Sequence, residues 1–400
     1  MTTNRRMVGA SVAALAPAVV LAVRSFGSSW AATGDYSLIE LRARAVGTAH
    51  TPLVGPYSRF GWNHPGPALF FALAAPYRLL AGQSKGLLLG TVLIAAAATV
   101  AVVVTLLRAD QPKVVAAFAL LVVAALVHGL GPAFLWDPWN PYVIVLPFLA
   151  FVLAVWWAAS GEERALPVAV GLASFVMQTH VSLAPEAVAL LALVIVWLLA
   201  TARDGESRRR LRRSALVSSG VFAVMWALPI HQEFTPHGGN LTTLWRFWTS
   251  SHSDTVGFAS ATRLLSLQLS IPAPWITGHE HYVPFSGAVA AQRVEFPYAL
   301  LVLVVAAVVA WRRRDRAAIA ACAVASTVTV VAWISIAKIV GVPFPYILRW
   351  TWVVGATIWI AAGVALLPPI VRRLGATPET WIARVITAGA GVLLVVVTIG

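Results

Sequence analysis

The sequence predicts an all-α polytopic membrane protein with about 11 transmembrane helices and one further helix in the outer interface. Hydrophobic residues make up 59% of the 400-residue chain and charged residues only 11%, which is more apolar surface than a water-soluble domain can bury. Apolar runs of about 15 to 24 residues recur along the chain, and such runs can cross a bilayer as helices. Arginine clusters lie in alternate connections between these runs. We therefore treat residues 1–400 as a single transmembrane domain.

The predicted spans are the apolar runs at about 7–23, 86–107, 114–130, 141–159, 165–179, 182–200, 214–230, 297–311, 317–338, 345–367 and 383–400. The first run follows Arg5 and Arg6. It is interpreted as a retained helix, with a cleaved signal peptide as the alternative. Both interpretations place Asp35 outside the cytoplasm.

The positive-inside rule assigns a side to each connection. With Arg5 and Arg6 in the cytoplasm, the inner connections are those that carry the dense arginine clusters, at 108–113, 161–164, 203–213, 311–316 and 371–384. Membrane topology then explains most of the formal net charge of +14, and we expect no nucleic-acid partner. The predicted location is the plasma membrane, as a multi-pass protein in contact with membrane lipids.

Two long segments lie on the predicted outer side, a first loop at 24–85 and a second at 231–296. Within the first loop, residues 65–82 are apolar but short for a crossing. Pro65 and Pro67 stand at its start and Gly82 at its end, as helix start and stop signals do. We predict a helix lying in the outer interface, because counting it as a span would place the later arginine clusters outside.

Acidic residues follow the first span. Ser37 and Glu40 fit a capping box, with Ser37 as N-cap and Glu40 reaching back. Asp35 precedes the box and is either an alternative N-cap or a carboxylate near the lipid headgroups that acts as a general base. Asp35 is the predicted catalytic residue, and Glu40 and Asp137 are candidate second acids. Asp137 lies in the sequence Trp-Asp-Pro, where an Asx turn is the structural alternative.

The stretch Ser58–Pro67 places Arg59, Asn63 and His64 just before the predicted interfacial helix. An aromatic belt with a snorkelling arginine explains it structurally. The functional alternative is a phosphate site, since arginine forks and helix N-termini both bind phosphate oxygens.

Further polar residues interrupt apolar stretches on the outer side. The candidates for substrate binding there are Gln178 and His180, which otherwise form a hydrogen-bonded hairpin, together with Asn240 and Arg349. His231, Glu233 and His237 could hold a divalent metal, but their spacing is not diagnostic, so no metal ligand and no cofactor is assigned. The chain has no phosphate-binding P-loop, no dinucleotide-binding glycine motif and no nucleophile elbow.

The acid in Gly-Asp-Tyr-Ser-Leu-Ile-Glu-Leu after the first span, and Asn-His-Pro-Gly-Pro opening an interfacial helix, resemble motifs of the GT-C glycosyltransferases. That superfamily includes protein O-mannosyltransferases, aminoarabinose transferases and actinobacterial arabinofuranosyltransferases. The likeness covers roughly the first 200 residues. These motifs, with Gln-Thr-His-Val and Gly-Gly-Asn-Leu, also resemble a group of actinobacterial membrane proteins. The sequence departs from the usual adjacent acidic pair, since Asp35 and Glu40 are five residues apart.

The resemblance implies a transferase that uses a polyprenyl-phosphate-linked sugar as donor and a cell-envelope glycan or lipid as acceptor. Asp35 would deprotonate the acceptor hydroxyl, which attacks the anomeric carbon with inversion. Arg59, His64 or Arg349 would stabilise the phosphate leaving group. The alternatives are a transporter or flippase of a lipid-linked saccharide and a structural partner in an envelope complex. Convergence of Asp35, His64, Asp137 and His180 on one outer cavity would favour the enzyme.

Overall fold

The computed structural model describes residues 15–109, 111–250, 254–279, 293–374 and 376–399, and their regular structure is almost entirely helical. Within these ranges the only extended pairing consists of two isolated antiparallel bridges, Tyr57 with Asn63 and Thr255 with Val340. The all-α class predicted from composition is confirmed for this part of the chain.

Leaving aside single helical turns, we number the helices in chain order. They are α1 Ala16–Gly27, α2 Asp35–Ala45, α3 Ala68–Leu79, α4 Lys85–Arg108, α5 Lys113–Leu130, α6 Val145–Ala159, α7 Leu166–Thr179, α8 Ala184–Thr201, α9 Gly205–Glu233, α10 Asn240–Thr249, α11 Gly257–Gln268, α12 Tyr298–Arg313, α13 Arg316–Ala337, α14 Trp352–Leu374 and α15 Ala376–Ile399.

Among the described residues, eight helical stretches are long and apolar enough to cross a membrane. They are Lys85–Arg108, Lys113–Leu130, Asn140–Ala159, Val181–Thr201, Gly205–Glu233, Arg316–Ala337, Pro345–Arg373 and Glu379–Val397. Each corresponds to one of the eleven predicted spans. The chain is therefore an all-α multi-pass membrane protein.

The other three predicted spans are helical where they are described, but shorter. Helix α7 has 14 residues and α12 has 16, so at about 1.5 Å per residue neither reaches the roughly 30 Å of a hydrocarbon core. The run at 7–23 is described only from residue 15, and α1 begins at residue 16. Arg5, Arg6 and the start of that run lie outside the described residues.

Helix α6 forms the centre of the bundle. In the stretch Asn140–Ala159, 89% of the residues are buried inside the protein, compared with 17% in Glu379–Val397. Its phenylalanines Phe148 and Phe151 have essentially no exposed surface, because α4, α7, α8 and α13 all pack against this helix.

Contacts between connections divide the molecule into two ends. At one end, the segments predicted to lie outside meet each other: Asn240 bonds to Asn63, Tyr36 bonds to Asp137, and Thr255 pairs with Val340. We call this the outer end. At the opposite, inner end, Arg210 contacts Glu163 at 3.5 Å and the guanidinium of Arg316 donates to Thr201 at 2.8 Å. In each of these contacts, both partners come from connections that were predicted to lie on the same side of the membrane.

The arginine cluster predicted as an inner connection at 203–213 is mostly helical, which corrects that boundary. Helix α9 begins at Gly205 because the Asp204 carboxylate accepts the Ser207 N–H at 2.8 Å as an N-cap. An ion pair of Glu206 with Arg210, one turn apart at 2.8 Å, supports the same turn. Most of the arginine cluster therefore belongs to α9 itself and not to the connection between α8 and α9.

The short apolar stretch predicted at 65–82 forms α3, which packs against α2 and α4. Two glycines of α4 allow the close approach: a Cβ on Gly86 would lie 2.6 Å from Tyr77 Cα, and one on Gly90 would lie 2.7 Å from Leu73 Cδ2. One face of α3, with Leu69, Phe70 and Leu73, is fully buried. The second predicted loop, 231–296, also contains helices, α10 and α11, and its residues 251–253 and 280–292 lie outside the described residues.

Candidate functional site

Asp35 is the first residue of α2, after Gly34, which takes the left-handed φ of 55°. Its side chain does not cap the helix. Among the described residues, no hydrogen bond or ion pair engages its carboxylate, and the residue is exposed. The positive end of the helix dipole favours a negative charge at this position. Asp35 is therefore an ionisable group that the local fold leaves available.

The capping-box prediction for Ser37 and Glu40 is wrong. Ser37 donates its hydroxyl to the carbonyl of Ala32 at 2.9 Å. The Glu40 carboxylate instead accepts from the Tyr77 hydroxyl at 3.1 Å and the Ser84 hydroxyl at 2.7 Å. These partners lie far along the chain, so the local pattern could not reveal them. Glu40 joins α2 to α3 and to the start of α4, and it is not placed as a second acid.

A cleft of about 480 Å³ of empty space opens at the outer end beside α2. It brings together a carboxylate, a guanidinium and two carboxamides with apolar and backbone surface. Its lining residues are Asp35, Leu38, Ile39, Arg42, Gly55, Pro56, Tyr57, Asn63, Phe70 and Asn140. Asp35 and Asn63 were predicted as site residues, and the cleft places both in one cavity.

One wall of the cleft is a small hairpin over residues 55–64. The N–H of Gly55 donates to His64 O at 2.9 Å, the N–H of His64 donates to Pro56 O at 2.8 Å, and Ser58 bonds to Trp62. The Asn240 side chain fixes the hairpin from outside: its Oδ1 accepts the Asn63 N–H at 2.8 Å and its Nδ2 donates to Asn63 O at 3.0 Å. Asn240 is thus a positioning residue for Asn63 and does not line the cleft.

His64, the last residue of this hairpin, packs against His180, and their ring centroids are 4.6 Å apart. His64 Nδ1 accepts the Val181 N–H at 3.0 Å, and His180 Nδ1 is 2.6 Å from the Ser182 hydroxyl. Burial lowers the pKa of both imidazoles, that of His180 to about 4, and the neighbouring His180 lowers that of His64 further. The Val181 N–H therefore engages His64 Nδ1, and the predicted role of His64 at a phosphate stays a prediction.

Gln178 is buried under the same hairpin. Its Nε2 donates to Met225 O at 2.8 Å, and its backbone carbonyl lies against Gly55 and Gly66. The interpretation of Gln178 and His180 as parts of a hydrogen-bonded hairpin therefore fits the contacts better than a direct role in binding. Both support the wall that carries Asn63.

Asp137 lies next to the cleft. Its carboxylate accepts from the Tyr36 hydroxyl at 3.1 Å and from the Trp139 N–H at 2.9 Å, the latter as an Asx turn. Burial raises the pKa of Asp137, while these two hydrogen bonds act in the opposite direction. Burial and the Asp137 charge also raise the pKa of Tyr36. Asp137 therefore positions Tyr36, the residue that follows Asp35.

The two predicted arginines occupy different surroundings. Arg59 is exposed, with its guanidinium carbon 4.9 Å from the Phe60 ring and 6.0 Å from the Phe344 ring. Arg349 lies 4.1 Å over the Trp352 ring. The Tyr346 hydroxyl is within electrostatic reach of both Asp35 and Arg59, so Arg59 borders the same side of the outer end as the cleft.

The residues proposed as possible metal ligands do not form a cluster where they are described. In the ranges that the structure describes, no three His, Cys, Asp or Glu side chains group together. Glu233 is used structurally, because its carboxylate accepts the N–H groups of Leu241 at 2.8 Å and Thr242 at 3.2 Å at the start of α10. His231 and His237 are exposed.

Sequence reasoning missed Arg42, Tyr57 and Asn140, which also line the cleft. Arg42 follows Asp35 by seven residues, and two helical turns bring such residues to one face. That spacing was a signal in the sequence. Asn140 is buried and donates to Thr179 O at 3.3 Å, a contact that only the fold reveals.

The predicted convergence on one cavity is not observed. Of Asp35, His64, Asp137 and His180, Asp35 alone lines the cleft; Asp137 contacts its neighbour Tyr36, and the two histidines pack against each other. No family model matches the chain, and no characterised protein or solved structure shows significant similarity to it.

Proposed function

We propose that the protein is a membrane glycosyltransferase, which moves a sugar from a polyprenyl-phosphate donor to a cell-envelope acceptor at the outer face of the plasma membrane. One observation carries the proposal: a cleft at the outer end is lined by Arg42 and by Asp35, whose carboxylate has no hydrogen-bond or ion-pair partner among the described residues. The motif likeness to the GT-C superfamily, with eleven spans and an interfacial α3, is part of the same proposal.

The cleft residues suit an inverting displacement. Asp35 is the general base: its carboxylate takes the proton of the acceptor hydroxyl as that oxygen attacks the anomeric carbon and the bond to the phosphate oxygen breaks. Arg42, together with Arg59 at the rim, stabilises the released phosphate, because a guanidinium fork matches phosphate oxygens. Asn63 and Asn140 supply carboxamides that can orient sugar hydroxyls. A phosphate leaving group needs no proton donor.

The site also suits a lipid-borne donor. A cleft at the end of a transmembrane bundle is close to the lipid headgroups, and the exposed arginine at its rim can reach them. Nucleotide sugars are made in the cytoplasm, so a donor used on the other side has to arrive on lipid.

The direct test is transfer from labelled polyprenyl-phosphate sugars in membranes that contain the protein. We expect Asp35→Asn to reduce transfer by about 10²- to 10⁴-fold, the usual contribution of a general base. The matched control is Glu295→Gln, which neutralises another exposed acid of the predicted outer side. Wild-type turnover by a folded Asp35→Asn protein would remove Asp35 from the mechanism.

Transport of a lipid-linked saccharide is the second candidate, and one observation favours it. Glu186 lies inside a candidate span with no exposed surface, and buried acids of this kind are typical of transport pathways. The same assay separates the two functions. A flippase changes the leaflet that holds the labelled lipid and leaves the sugar–phosphate bond intact, whereas a transferase breaks that bond.

A further inference from the structure

Glu186 is a fully buried acid in the membrane domain. It is the third residue of α8 and lies in the stretch Val181–Thr201, one of the candidate spans. None of its surface is exposed. In the part of the chain that the structure describes, neither carboxyl oxygen has a hydrogen-bond partner.

One polar side chain lies near it. Ser335 of α13 places its buried hydroxyl beside the Glu186 carboxyl. Helices α8 and α13 pack directly against each other. The two side chains therefore form an isolated polar pair in an apolar contact between helices.

The titratable and charged groups on the elements around α8 do not neutralise this acid. Helices α6 and α7 carry none, the preceding turn carries His180, and α13 carries Arg316 at its inner end and Cys322 in its middle, with exposed Lys338 just after it. Among the described residues, no ion pair includes Glu186. A carboxylate here would be desolvated and without a counterion.

An unpaired charge in such surroundings is far less stable than the neutral acid, and a carboxyl group removes the charge by binding a proton. We infer that Glu186 is a proton-binding site. It holds its proton while α8 and α13 are packed, and it releases the proton to water, leaving the carboxylate, only when these helices separate. The inference is independent of the proposed transferase reaction.

Infrared difference spectroscopy tests the proton directly. Spectra of the wild-type protein and Glu186→Gln, both in liposomes at neutral pH, should differ by a carboxylic-acid carbonyl band that shifts in D₂O. The control, Glu295→Gln, replaces an exposed acid and should leave the Glu186 carbonyl band in place. Carboxylate bands in the Glu186 difference spectrum would overturn the inference.

A second measurement uses the wild-type protein alone, in case Glu186→Gln does not fold. Dicyclohexylcarbodiimide enters membranes and reacts with protonated carboxyls: the acid proton moves to a carbodiimide nitrogen, the carboxyl oxygen adds to the central carbon, and an acyl shift gives a stable acylurea. We expect peptide mass spectrometry to place this adduct on Glu186, unaffected by added sodium. Protection by sodium would indicate a metal-cation site, and an unmodified Glu186 would show that α8 and α13 do not separate to expose the acid; both results contradict the proposal.

Discussion

Asp35 differs from the acids around it in what its carboxylate contacts. Glu40, Asp137 and Glu233 each accept two or more hydrogen bonds from other residues. Asp35 accepts none from the described residues and faces a cleft. A carboxylate used for structure has its lone pairs engaged, so the free one is the group that can take a proton from a substrate.

Arg42 and Arg44 provide a matched test of the anion site. Both are exposed on α2, but only Arg42 lines the cleft. We expect Arg42→Gln to lower kcat/KM for a polyprenyl-phosphate sugar by about 10- to 100-fold, as loss of a charge-assisted hydrogen bond does. Arg44→Gln should leave it within about twofold. Equal losses in transfer assays of the two variants would show that overall charge matters instead of the cleft.

The buried histidine pair predicts a stability loss in acid. Because the folded-state pKa values of His64 and His180 are lowered, the unfolded chain binds more protons below its imidazole pKa of about 6.5. Stability is therefore complete above about pH 6.5 and falls as the pH drops toward 4. The loss is about 1.4 kcal/mol for each unit by which a histidine pKa is lowered.

This prediction is checked by thermal unfolding in detergent between neutral pH and about pH 5. The variant His64→Asn keeps an acceptor for the Val181 N–H and removes one titrating group, so its unfolding midpoint should depend less on pH. The exposed His237 serves as control, and His237→Asn should behave as the wild type does. Identical pH profiles for wild type and His64→Asn would contradict the assignment.

The elements were predictable to different degrees. Long apolar helices such as α4 and α5 follow from composition alone, because nothing but a helix satisfies the backbone of such a run in lipid. Helix α2 was anticipated, but its start was not: the capping box at Ser37 and Glu40 lost to contacts with Ala32, Tyr77 and Ser84. Such long-range partners leave no local trace in a single sequence.

The hairpin over residues 55–64 has no room for a side chain at Gly55. A Cβ on Gly55 would lie 2.7 Å from the carbonyl oxygens of both Gln178 and Gly66, and these backbone atoms cannot rotate away. We expect Gly55→Ala to destabilise the protein by about 1–3 kcal/mol, which lowers the midpoint of thermal unfolding. We also expect it to reduce the rate of sugar transfer.

Gly220 in α9 is the control for this effect, because a Cβ there would meet no atom within 4 Å. Gly220→Ala should leave the midpoint unchanged or raise it slightly, since alanine favours a helix interior. A Gly55→Ala protein as stable as the wild type would show that the wall of the cleft is looser than these contacts indicate.

At the scale of the whole molecule, the assignment of sides can be tested with cysteine labelling. The single cysteine, Cys322, is buried, so the wild type should not react with a membrane-impermeant maleimide. Ala49→Cys at the outer end should react in intact cells, whereas Arg164→Cys at the inner end should react only after permeabilisation. Both positions are exposed. The reverse pattern would place the cleft in the cytoplasm and end the proposal.

The overall arrangement was more predictable than the site. Charge and hydropathy gave the class, and the connections paired by alternation do meet at two ends. Only Asp35 and Asn63 of the cleft residues were predicted, because polar residues are unusual between apolar stretches. The place of Asn140 and the support from Asn240 depend on contacts between segments that are distant in sequence. Patterns in a single sequence report local conformational preferences, whereas a cleft is formed by contacts between residues that are distant in the chain.

The paired bonds between Asn63 and Asn240 also bear on biogenesis. The two residues are 177 positions apart, so several membrane segments are synthesised before Asn240 can bond to the hairpin. Until then the hairpin lacks these two hydrogen bonds. The wall of the cleft beside Asp35 would therefore be completed only after Asn240 has been synthesised.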